Sequence, residues 1–266
     1  MIREIIIYPV KSMGGSSKNT WYATQIGFEY DRNWMLIDRD NKMITQRTHP
    51  ELAKFNSDVL DGIAKVQKDD QYISWETNEY VGNKINSAVF DDPALVIEAN
   101  KNVSIFVSDY LHQKVKLVKQ ESKNARFHRV AHWNENIPVS LADGYPYLIV
   151  GTKSLEFLNQ QLKNPILSNR FRPNLIVYTF KAHEEDDYQK IHIGNGSFQN
   201  VKPCARCKII TIDQATGIAS KEPLTSLNKY RQKDNKIYFG SNMTCLKEGF
   251  ISVGDEVKHE EMVSGK

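Results

Sequence analysis

Cysteine is scarce in this chain, three residues in 266, and the odd count fits poorly with a disulfide scaffold. We therefore expect a reducing, cytoplasmic setting. Long apolar runs are missing too. No stretch approaches the roughly 20 residues of a membrane helix, so no membrane association is expected. The start, Met1-Ile-Arg-Glu-Ile-Ile-Ile-Tyr-Pro9, has no cationic segment followed by an apolar one, so no signal peptide is expected. Charge of one sign is missing as well. A net +3 spread along the chain, with no basic arm, argues against a nucleic-acid partner. Internal repeats and low-complexity segments are likewise absent. What is present is an ordinary globular composition, long enough for one large domain or two smaller ones.

Short β-branched runs predominate. Glu4 to Tyr8, Asn33 to Asp38, Met43 to Gln46, Tyr72 to Glu76, Ala88 to Phe90 and Val115 to Val118 read as strands in the first half. Arg39-Asp40-Asn41-Lys42 reads as a hairpin turn. Tyr147 to Val150, Leu175 to Thr179, Lys190 to Ile193, Ile209 to Ile212 and Ile251 to Val253 continue the pattern. Apolar stripes predict helices over Ser104 to His112, over Thr152 to about Leu162 with Thr152 as cap, and over Leu224 to Tyr230. The polar stretch Lys119 to Asn136 predicts a linker or long mobile loop. The expected architecture is β-rich α+β, with modules at 1–120 and 121–266.

Two of the three cysteines sit in Lys202-Pro-Cys204-Ala-Arg206-Cys207-Lys208. Adjacent cations favour the thiolate, the form that attacks or binds metals. A structural zinc site needs about four ligands, yet Cys245 is solitary and the nearest downstream histidine is His259. A thioredoxin-like pair would open a helix, whereas Lys208 to Ile212 reads as a strand. Two buried cysteines acting as small apolar residues remain the plain alternative. Arg170-Phe-Arg172-Pro-Asn174, ahead of a strand, suits phosphate recognition, or a salt-bridged sheet edge. Lys11-Ser12 and the following Gly14-Gly15-Ser16-Ser17 form a loop able to hold an anion, without a P-loop pattern. Asp143, in Ala142-Asp143-Gly144-Tyr145-Pro146, reads as a turn former ahead of a strand.

In order along the chain, these clusters resemble one family. Tyr8-Pro-Val-Lys-Ser12, Gly27…Asp31-Arg-Asn-Trp34 and Thr45-Gln-Arg47-x-x-Pro50 are similar to the N-terminal β-barrel module of MOSC proteins. Arg170 to Asn174, Glu184-Glu-Asp186, Pro203 to Cys207, Glu222-Pro-Leu224, Tyr230-Arg231, Phe239-Gly240 and Val253-Gly-Asp255 are similar to the MOSC domain itself. The pattern resembles that of the mitochondrial amidoxime-reducing component and its bacterial counterparts, which reduce N-hydroxylated bases.

The resemblance implies a molybdenum–molybdopterin cofactor. By motif position Cys207 would be the molybdenum ligand and the catalytic thiolate, with Cys204 less favoured as ligand. Lys11, Ser12, Arg32 and Arg172 would bind the cofactor's phosphate and pterin. Ala205 and Arg206 would contact it beside the metal, and Arg170 and Asn174 are weaker carry-overs. The implied reaction is reduction of a small N-hydroxylated substrate, with electrons from a separate flavoprotein or ferredoxin. Sulfur transfer, or cofactor carriage on a cysteine persulfide, is the alternative implied by other MOSC proteins. The family's link to pyridoxal phosphate is an association only, since no pyridoxal-phosphate desulfurase domain is expected here. Nor is an iron–sulfur domain or a transmembrane anchor. Phe239-Gly-Ser-Asn-Met243 also lacks an aromatic expected near the cofactor.

Overall fold

A computed structural model describes residues 1–121 and 126–259. The chain is a β-rich α+β protein, as its alternating apolar runs require, with three α-helices among the described residues. The largest sheet runs in the order Ser16–Lys18, Ile2–Ile7, Leu175–Val177, Tyr147–Gly151, Lys236–Lys247, Gly196–Arg206, Lys190–Ile193, Val257–His259. Its one parallel pair joins Tyr147–Gly151 to Leu175–Val177, and a parallel neighbour demands a crossover. Helix α2, Thr152–Gln160, begins that crossover and buries Leu158. Gly151, not Thr152, occupies the cap position. The Thr152 hydroxyl instead accepts the Thr179 N–H at 3.2 Å.

The first strand, Ile2–Ile7, pairs with Leu175–Val177, so residues from the chain's beginning complete the sheet of its second half. Thr20–Thr24 likewise pairs with Gly249–Ser252. A five-stranded sheet, Lys84–Val89, Asp92–Asn100, Lys116–Gln120, Trp34–Ile37, Met43–Ile44, carries the first half. Helix α1, Lys101–Leu111, starts three residues earlier than its apolar stripe predicts, because the Asn100 side chain accepts the Val103 N–H at 2.9 Å. Trp34, fully buried, lies 5.6 Å edge-on from Trp75 at the centre of this half's core. Its carbonyl accepts the Lys11 N–H at 2.7 Å, which ties the Tyr8–Ser12 loop between the two halves.

Two expectations fail. Residues 209–212 are not a strand: Lys208–Thr211 is a 3₁₀ turn, and Gly196–Arg206 ends just before it. The β-branched run misled because Ile210 is buried among Leu148, Phe171 and Phe239, a packing that needs no strand. The loop expected over 119–136 contains a hairpin, Arg126–Val130 with Glu135–Val139. Its polar letters disguised buried pairing, since Arg126 is enclosed and its guanidinium meets Asp92. Residues 122–125 of that stretch lie outside the described segment.

His183 packs against Phe157, Tyr230 and Phe239, with ring centroids 5.8–6.1 Å away. Burial, then the Arg231 charge, holds it down to about 4, so it is neutral at pH 7. The unfolded chain protonates this ring near pH 6.5 and the folded chain only near 4. Stability is therefore complete above that upper value and falls as the pH drops through the interval. His183→Asn, which tolerates the left-handed backbone there (φ 62°), should flatten this decline in urea midpoints measured at pH 7 and pH 5.

Candidate functional site

A cavity of about 440 Å³, within the range of small-ligand sites, opens where the two halves meet. Lys11, Ser12, Arg32, Arg170, Arg172, Asn174, Cys204, Ala205, Arg206 and Cys207 all line it. Residues predicted separately, from opposite ends of the chain, thus come together on one wall system.

The sheet positions the cysteines. Gly196–Arg206 crosses Lys236–Lys247 with its register shifted between Pro203 and Ala205, a bulge of the kind that re-aims side chains. Cys204 lies on the irregular strand end, and Cys207 just beyond it leads into the 3₁₀ turn. Arg206 donates through Nη1 to Cys204 Sγ at 2.8 Å and through Nη2 to the Phe171 carbonyl at 2.6 Å. Both thiols are half-buried and unbonded to one another. Among the described residues no group of three or more His, Cys, Asp or Glu is arranged around a metal. A metal held at Cys207 would therefore need further donors from its own ligand.

Cations dominate the walls. Arg32 pairs with the fully buried Asp31 at 2.6 Å, and its Nη2 donates to the Arg172 carbonyl at 3.1 Å. Arg170 pairs with Asp213 at 3.0 Å. Arg172 has no carboxylate within ion-pair distance among the described residues. Burial, then the neighbouring Arg32 charge, pushes its guanidinium down to about 10. Arg170 Nη1, Arg172 Nη1, Arg206 Nε and Arg47 Nε are buried without any hydrogen-bond partner. So many orphaned donors in one cavity call for an anionic, acceptor-rich occupant. A phosphate-bearing pterin fits that donor set. Ser12, Arg32 and Arg172 also hold left-handed backbone at φ 70°, 50° and 54°, strain of the sort that collects at functional sites.

Two predicted residues act differently. Asn174 spends its side chain on the backbone, accepting the Leu148 N–H and donating to the Ile6 carbonyl, both at 3.2 Å. It clasps the sheet behind the cavity. The Ser12 carbonyl accepts from Gln46 Nε2 at 2.7 Å, so this loop residue is fixed through its backbone.

Asp143, read from sequence as a turn former, lines the cavity. It bridges Lys11 Nζ and, at 3.3 Å, Arg47 Nη2. Burial alone would raise its carboxyl, but Lys11, Arg47 and Arg32 together bring it down to about 2. The same burial lowers Lys11, against the pull of Asp143. Asp143→Asn would leave Lys11 two neutral acceptors, the new amide oxygen and the Leu141 carbonyl 2.8 Å away, and no carboxylate. Because the Asp143 side chain is 56% exposed, we expect a loss of about 1–2 kcal/mol in urea unfolding, below that of a fully enclosed pair. The wild-type contribution is present above about pH 4 and lost as the pH falls towards 2, whereas the Asn variant lacks this step. Arg47, Phe90, His128, Tyr145, Lys202 and Asn242 also line the cavity and were not singled out. Arg47 had a signal in Thr45-Gln46-Arg47 and Lys202 in the cationic stretch around the cysteine pair, while Phe90 and His128 had none.

Comparison with known proteins agrees with this layout. The MOSC N-terminal beta barrel domain model matches residues 1–114, and the MOSC domain model matches residues 136–258. The human molybdenum cofactor sulfurase is 26% identical over 97% of this chain, which spans 32% of the sulfurase's length. Mitochondrial amidoxime reducing component 2 of Bos taurus is 29% identical over 96% of this chain and 82% of its own. Among solved structures, the YUAD protein of Bacillus subtilis aligns with 96% of this chain and 92% of its own, at 9% identity and a TM-score of 0.44. With both domain models matched in order, the chain belongs to the MOSC family, a MOSC domain preceded by the MOSC N-terminal beta barrel domain.

Proposed function

We propose that this protein is a molybdopterin-dependent reductase of N-hydroxylated compounds. The observation that carries this reading is the cavity itself: a half-buried thiol, Cys207, among guanidiniums that each keep one buried nitrogen without a partner. Homology to amidoxime-reducing components over most of the chain supports it. A reducing, cytoplasmic setting is part of the proposal and rests on the odd cysteine count of the sequence.

Cys207 would hold the metal through its thiolate, as soft ligands suit a sulfur-rich molybdenum site. Arg172, Arg32 and Lys11 would hold the phosphate and pterin by charge-assisted hydrogen bonds. When bound, the cofactor supplies the two-electron chemistry, turning R–NHOH, two electrons and two protons into R–NH₂ and water. Arg206 restrains Cys204 and so leaves Cys207 as the free thiol. Asp143, ionised between Lys11 and Arg47, keeps both cations oriented. The electrons come from a separate flavoprotein or ferredoxin, and the 1–120 and 121–266 modules form the cavity between them.

The test is reduction of benzamidoxime by protein from a cofactor-making host, with reduced methyl viologen as donor. Steady turnover supports the reading, and its absence in molybdenum-loaded protein counts against it. A second reading, sulfur transfer through a Cys207 persulfide, draws on the sulfurase homology. It predicts trapping of radioactive sulfur on Cys207 after incubation with a cysteine desulfurase, and no amidoxime turnover.

A further inference from the structure

Two arginines beside each other in a cavity repel, and Arg172 has no carboxylate to hold it. Both guanidiniums nevertheless lie against one aromatic ring. Arg32 Cζ is 4.3 Å and Arg172 Cζ 4.4 Å from the centroid of Tyr8. Tyr8 is 2% exposed and its hydroxyl has no hydrogen-bond partner, so the buried phenol uses its ring rather than its oxygen. The ring is held from several sides. The Tyr8 backbone N–H donates to Asp31 Oδ1 at 2.8 Å, and the Tyr8 backbone carbonyl accepts the Arg32 N–H at 2.8 Å. Gly15 backs the ring edge so closely that a Cβ there would meet Tyr8 Cδ1 at 2.6 Å.

Asp31 already takes Arg32 Nη1, but a carboxylate on Arg172 would have neutralised it and occupied up to two of its in-plane donors. An aromatic face attracts a guanidinium without neutralising it and leaves the N–H groups around its rim free. We infer that Tyr8 is a positioning residue, a π platform that orients Arg32 and Arg172 to grip a phosphate group. This rests on the proposed cofactor reading, in which the phosphate is that of the pterin. It adds a role to a residue that does not itself line the cavity.

The experiment is isothermal titration of the full chain, without cofactor, with inorganic phosphate. Wild type and Tyr8→Phe should bind with Kd values within about twofold of each other, since both keep the ring face. Tyr8→Leu should bind roughly tenfold or more weakly, having lost both cation–π contacts. Tyr8→Met, which fills the space with a flexible apolar chain, serves if the leucine variant does not fold. Rescue by phenylalanine is what a merely space-filling role would not single out. Leucine and methionine variants that bind like wild type overturn the inference, as does a phenylalanine variant as weak as either. If wild type itself does not bind phosphate, the cofactor reading falls with it. If wild type binds and all variants match it, only the role of Tyr8 falls.

Discussion

Cys207→Ser should lower amidoxime turnover by roughly a thousandfold or more, because a hydroxyl remains protonated where a thiolate would ligate the metal. The fold should survive. Cys207 is half-buried, its thiol makes no hydrogen bond among the described contacts, and serine is nearly isosteric. Thermal unfolding of the variant prepared without cofactor should match wild type within a few degrees. Cys204→Ser is the control. Cys204 Sγ accepts from Arg206, and a serine oxygen can accept the same bond, so turnover should fall severalfold at most. If the two variants exchange places, Cys204 is the ligand and the bulge at Pro203–Ala205 aims the strand end, not the turn, at the metal.

Arg172→Met should act in opposite directions on binding and on stability. At pH 7 the guanidinium is charged, deep in the cavity and unpaired, with burial and Arg32 both acting against it. Removing it relieves that cost, so cofactor-free protein should gain about 1 kcal/mol in urea unfolding. The same change removes donors aimed at the anion. Cofactor retention should then fall roughly 10- to 100-fold, the worth of one to two kcal-scale bonds to a charged group. A variant that loses stability and keeps its cofactor would show Arg172 to be a structural residue. The sign of the stability change is therefore as informative as the loss of binding.

Much of this site was legible in sequence because its residues are locally clustered. Arg170 to Asn174 and Pro203 to Cys207 each announce themselves by composition within five letters. Asp143 does not. Its role depends on Lys11, 132 residues away, and nothing local distinguishes it from a turn-forming aspartate. Tyr8 was visible as part of a motif, but its purpose emerges only where Arg32 and Arg172 converge on its ring. For the fold, short β-branched runs located fewer than half of the strands among the described residues, and the long, more polar Asp92–Asn100, Gly196–Arg206 and Lys236–Lys247 were missed. Residues 209–212 escaped because β-branching signals burial as readily as a strand, and here Ile210 is buried from a turn. The hairpin at Arg126–Val139 escaped for the converse reason, polar letters whose partners lie on distant strands.

In the proposed reading, Cys207 and the surrounding cations hold molybdopterin as a resident cofactor. This is tested most directly by metal and pterin analysis of the purified chain from a host that makes the cofactor. About one molybdenum and one pterin per chain are expected, falling to near zero in Cys207→Ser. Metal-free wild-type protein from the same host, carrying a persulfide on Cys207 instead, would contradict it.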